Sequence, residues 1–156
     1  MKKISAICFL LLLAMTSCNQ TEEEKAGKVA EKYLTAMGNY EFDKAAEYCT
    51  DETRVNTIKV IQLDIMPRTD KSYIESNKPA TISINSVELT SDTTAVAEYH
   101  KSTPIQEQDG KLNLVKRGKN WQAHVLIKLP KEMQQQIQLK YDEDSIRNLH
   151  LQVLDK

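Results

Sequence analysis

The hydrophobic period of this chain changes once, from helical to strand spacing, and that switch limits the fold more than any other feature. Ala26, Val29, Ala30, Tyr33, Leu34 and Met37 recur three and four residues apart, which is the spacing of one helix face. From Ala80 onward Ile82 and Ile84, then Ala95, Ala97 and Tyr99, alternate with their neighbours, the period of a strand with one covered face. Helices first and an antiparallel sheet afterwards predict an α+β protein.

Local signals set the expected boundaries. Thr21-Glu22-Glu23-Glu24 fits a capping box and Gly38 suits a helix stop, so a helix is expected over 22–37. Gly27 inside it predicts a close packing contact. A second helix is expected over about 41–49, with Phe42, Ala45, Ala46 and Cys49 on one side. A third apolar segment, Val55, Ile58, Ile61 and Ile65, ends at Pro67, and residues 67–79 read as a polar connection. Val87 and Leu89 fall on the opposite parity from Ile82 and Ile84, which predicts a bulge near Asn85-Ser86. Asp109-Gly110 signals a hairpin turn and Gly118 another. Trp121, Ala123, Val125, Ile127 and Leu129 then line one face of a strand. In 130–156 the spacing of Met133, Ile137 and Tyr141 and of Ile146, Leu149 and Val153 favours helix. A pair of strands fits the alternation of Ile137, Leu139 and Tyr141 as well.

The first residues read as an address. Lys2 and Lys3 precede an apolar run from Ile4 to Met15, too short for a membrane-spanning helix, which needs about 20 residues. Residues 1–17 are therefore expected to be a cleaved signal peptide. Met15-Thr16-Ser17-Cys18 resembles a bacterial lipobox of the relaxed kind found in Bacteroidota, with Met15 where leucine is commonest. The resemblance implies lipidation of Cys18 and a short tether, residues 18–21. Two or more acyl chains hold a protein on a membrane where one does not. The acidic run Glu22-Glu23-Glu24 resembles the signal that sends such lipoproteins to the outer face of the outer membrane. The same glutamates also complement a helix N-terminus, so surface display and an inner-leaflet position both stay open. With Cys8 removed and Cys18 capped, Cys49 has no disulfide partner and reads as a small buried hydrophobe.

Composition removes several function classes. Against 21 Lys and Arg stand 22 Asp and Glu, so no basic excess exists to hold nucleic acid. Three cysteines and three histidines show no zinc-ligand spacing. There is no phosphate loop, H-E-x-x-H, C-x-x-C or G-x-S-x-G pattern, so no metal or cofactor is expected. His100 and His124 fall on the strand faces opposite Tyr99 and Trp121 and read as solvated histidines.

Two stretches carry a family resemblance. They are Val29-Ala30-Glu31-Lys32-Tyr33-Leu34 with Tyr40-Glu41-Phe42-Asp43-Lys44-Ala45-Ala46-Glu47-Tyr48-Cys49-Thr50, and Leu112 through Ala123 with its Arg117-Gly118-Lys119-Asn120-Trp121 turn. Together they resemble the nuclear-transport-factor-2-like superfamily, and within it small Bacteroidota lipoproteins, over residues 22–129; residues 130–156 form an extension. The resemblance implies a cone, with the N-terminal helices in the concavity of a curved sheet and Tyr33, Met37, Tyr99 and Trp121 lining its hollow. Asp92-Thr93-Thr94 and Asp144-Ser145-Ile146 resemble an O-glycosylation motif of exported Bacteroidota proteins, which implies sugar on Thr93 and Ser145.

Fold alone decides no activity in such a superfamily. An isomerase-like site needs a carboxylate base and a hydroxyl donor projecting inward, and no Asp or His shares the parity of Tyr33, Tyr99 and Trp121. The expectation is a non-enzymatic envelope lipoprotein that binds a protein, glycan or small apolar ligand. An isomerase- or dehydratase-type enzyme and an inhibitor or immunity-type protein are the alternatives.

Overall fold

A computed structural model describes residues 20–127. Helix α1, Glu22–Gly38, opens on the expected capping box. Glu24 N–H donates to Thr21 Oγ1 at 3.2 Å, and Thr21 N–H donates to the Glu24 carboxylate at 3.2 Å. The α1 face against the sheet buries Ala26, Ala30, Tyr33 and Ala36. The three alanines let the helix axis approach the sheet closely. At Gly27 an added Cβ would stand 3.3 Å from Val87 Cγ2, the tight contact expected there.

The end of α1 differs from expectation. Gly38 is still helical, and the left-handed residue is Tyr40, at φ 60°. Gly38 is small for another reason, since an added Cβ would lie 2.8 Å from Ala80 Cβ. Next to it the Asn39 amide pairs with the Ala80 peptide. It donates to Ala80 C=O at 3.1 Å and accepts from Ala80 N–H at 3.0 Å. A side chain thus supplies the first pairing of the next strand.

Helix α2, Phe42–Ala46, is shorter than 41–49. The backbone at 48–50 is claimed by the sheet: Ala123 N–H donates to Tyr48 C=O and Thr50 N–H to Ala123 C=O. Cys49 forms the parallel bridge to Ala123 and is buried, as expected. A continuous helical segment, α3 (residues 51–68), begins as Asp51–Thr53 and runs through wide turns at Arg54–Ile58 and Ile61–Ile65 to a tight turn at Met66–Arg68. Each wide turn adds a residue and rotates the downstream side chains by about 100° relative to a regular helix. Of the anticipated stripe, Ile58 is therefore buried while Ile65 is 48% exposed. Residues 67–79 hold a further helix, α4 (Lys71–Ser76), where only a connection was expected. Its start is fixed by Asp70, which accepts from Ser72 N–H at 2.7 Å.

The sheet is antiparallel and curved, in the order β1 (Thr81–Ser91), β2 (Thr94–Ser102), β3 (Glu107–Arg117), β4 (Asn120–Ala123). The β1 register shifts between Ile84 and Ser86, where the bulge was expected. Gly118, at φ 62°, makes the β3–β4 turn. Asp109-Gly110 is not a turn: the pair sits inside β3 opposite His100 and Tyr99. The chain reverses instead at 103–106, held by Thr103 N–H to Gln106 C=O at 2.9 Å. Gly110 makes room for the Tyr99 ring, since an added Cβ would fall 2.5 Å from the phenol oxygen.

β4 ends at Ala123 rather than running on toward Leu129, because threonines of α3 capture the backbone beyond it. Val125 N–H donates to Thr53 Oγ1 at 2.8 Å, and Thr57 Oγ1 donates to Val125 C=O at 2.6 Å. The helices cover one face of the sheet. Between the two layers, α1, Phe42, Ala45, Cys49 and Ile58 meet Ala95, Ala97, Leu112, Leu114, Trp121 and Ala123 in one core, half of whose members are alanines. Among the described residues no helix is long and apolar enough to cross a membrane. Residues 1–19, which hold the expected signal peptide and Cys18, and residues 128–156, with Ser145 and the expected extension, lie outside the described residues.

Candidate functional site

The residues expected to line a hollow are largely core residues. Tyr33 and Trp121 are 3% and 4% exposed, and Met37 and Tyr99 pack half-buried against the same cluster. Burial pushes the Tyr33 phenol well above its ordinary range, with the neighbouring Cys49 and Tyr99 adding to the effect. Burial likewise lifts the Cys49 thiol to about 11, so it stays protonated and unreactive at neutral pH.

The Trp121 indole is anchored to the start of α1. Its Nε1–H donates to Glu22 at 2.9 Å, and the same carboxylate meets Lys116 Nζ at 2.6 Å and Lys25 Nζ at 2.8 Å. Lys116 also stands 5.8 Å over the indole ring. Hydrogen bonds from Lys116, Lys25 and Trp121 hold the Glu22 carboxyl down to about 2, from 4.5. A bond from Arg117 does the same for Glu52. A carboxyl depressed in the folded state stabilises fully above its unfolded value, and that stabilisation fades as pH falls toward the folded one. Glu22→Gln should therefore flatten the loss of stability between pH 4.5 and 2, as read by urea unfolding at stepped pH. An unchanged slope would show that the cluster contributes nothing.

Outside the core, two grooves flank Tyr48. The first, about 470 Å³, lies between the start of α1 and β4 and is lined by Gln20, Lys25, Val29, Lys119, Asn120 and Gln122, with Trp121 at its edge. The second, about 600 Å³, runs between α1 and α2 past Glu31, Lys32, Thr35, Glu41 and Lys44. Glu47 and Tyr48 belong to both. Lys32 sits 5.3 Å over the Tyr48 ring. Of the four anticipated lining residues, Trp121 alone reaches either groove.

The two described histidines are apart. His100 Nδ1 is 2.8 Å from Asp109 on the outer sheet face. His124 is half-buried, and its Nδ1 lies 3.2 Å from Thr50 Oγ1. Thr93 is exposed in the two-residue β1–β2 turn, and its N–H donates to Ser91 Oγ at 3.1 Å. Among the described residues no group of three or more His, Cys, Asp or Glu could hold a metal ion.

Sequence reading missed Glu22 as the indole's acceptor, because nothing in the chain links positions 22 and 121. It also missed Tyr48 as a groove wall, because its place in a helical pattern does not show what its half-buried ring borders. No family model matches the chain, and no curated protein sequence matches it.

Proposed function

We propose that this protein is a lipid-tethered, non-catalytic binding module of the bacterial envelope, built on a nuclear-transport-factor-2-like cone, that recognises its ligand through the grooves beside Tyr48. The observation carrying this reading is the packed interior: Tyr33, Leu112, Leu114 and Trp121 are all buried and fill the space between the helices and the sheet. Among the described residues, the two grooves that flank Tyr48 lie beside the helices. In this reading residues 1–17 are removed and Cys18 carries the lipid. The helix cap at Thr21 then leaves a link only on the order of 10 Å long, which holds the α1 start, the β3–β4 turn and the first groove near the lipid surface. Thr93 and Ser145 are the positions for attached sugar.

The test is mass spectrometry of the mature N-terminus, with fractionation of wild type and Cys18→Ser. An acylated Cys18, and release of Cys18→Ser from the membrane fraction, are the expected results. A mature terminus that is unmodified, or that lies elsewhere, ends the tether reading.

A further inference from the structure

We propose that the joined grooves along α1 bind an uncharged oligosaccharide, with the Tyr48 ring as its stacking platform; this rests on the binding-module reading above. The first argument is charge. Lys25 is matched by Glu22 and Lys44 by Glu41, each at 2.8 Å, and Lys32 is engaged with the Tyr48 ring. Glu31 and Glu47 offset Lys32 and Lys119 along the walls. A polyanion would need an unbalanced basic track, and a small apolar ligand would need walls with fewer charged groups.

What the walls offer instead are groups that donate and accept at once. Gln20, Asn120 and Gln122 line the first groove and Thr35 the second. Amides and hydroxyls of this kind pair with sugar hydroxyls in either direction. The backbone adds to them. Ala123 directs its N–H and C=O away from β3, toward Tyr48 and Thr50, whereas His124 N–H bonds Asn113 on β3. Strand alternation therefore turns the Trp121 N–H and C=O outward too, at the edge of the first groove. Lys32 lines the second groove and not the first, so its ammonium covers one face of the ring. Tyr48, half-buried against the core, also lines the first groove, where the uncovered part of its ring can meet the C–H groups of a pyranose. Because Tyr48 and Glu47 are shared by both grooves, the path suits several sugar units rather than one.

The experiment titrates the 15N-labelled mature full-length protein in detergent with maltohexaose, cellohexaose, xylohexaose and chitohexaose, and with a heparin-derived hexasaccharide as charged control. At least one neutral hexasaccharide should shift the amides of Glu47, Tyr48 and 119–122, with a Kd of about 0.1–1 mM. Tyr48→Leu should weaken that binding about tenfold or more and Tyr48→Phe should retain it, with both variants keeping the amide spectrum of the folded protein away from the grooves. The proposal is overturned if no neutral probe shifts these amides at about 10 mM, if the shifts fall elsewhere, if Tyr48→Leu binds as wild type, or if the heparin fragment alone binds there. Failure with an acylated Cys18 removes the sugar and leaves the tether, whereas sugar binding by a protein lacking the acyl group removes only the tether.

Discussion

Trp121→Ala should cost about 3–5 kcal/mol and lower Tm on the order of 10–20 °C. The side chain is 4% exposed and reaches from β4 to the first turn of α1, so truncation removes packing from both layers. It also leaves Glu22 with two lysines and no indole donor. The loss is a large part of the stability of a typical domain, about 5–15 kcal/mol. Trp121→Phe separates the contributions: it keeps most of the volume and loses only the bond to Glu22, so its deficit should be about 1–2 kcal/mol. Equal deficits in the two variants, measured by urea unfolding, would mean that the bond rather than the packing carries the site.

Thr53→Val should cost about 2 kcal/mol although it adds apolar surface to a buried position. Thr53 is 0% exposed. Its hydroxyl accepts from Val125 N–H at 2.8 Å, stands 2.9 Å from Thr50 Oγ1 and faces Ala123 C=O at 3.4 Å. Valine has the same shape and none of these bonds, so the Val125 N–H would lose its acceptor inside the protein. Thr53→Ser keeps the hydroxyl and should recover most of the loss. A neutral Thr53→Val would show that the strand end is held by packing alone.

These threonines explain where sequence reading stopped. α1 was legible because its cap, its stripe and its close contact at Gly27 are all local, and each appears where expected. The bulge at 84–86 was legible because a change of parity records it directly. β4 was overextended because alternation from Trp121 to Ile127 says nothing about hydroxyls brought from seventy residues away. Asp109-Gly110 carries a turn signal in isolation, but Tyr99 needs a glycine across the strand and that need lies outside any local window. The groove at Tyr48 has the same character, being assembled from α1, the 47–48 segment and the β3–β4 turn. No short motif records it.

The functional account depends on an interior filled by side chains, so that recognition falls to the outside. Tyr33 reports on this directly, because its phenol is held above the ordinary value of 10 by burial in that interior. The measurement is a pH titration of the ring carbons in 13C-tyrosine-labelled protein, with Tyr33→Phe assigning the signal. The account predicts that Tyr33 stays neutral through pH 10 and ionises only when the protein unfolds. Reversible ionisation near pH 10 in the folded protein would mean that water reaches the interior, and would move the binding site to the space between the helices and the sheet.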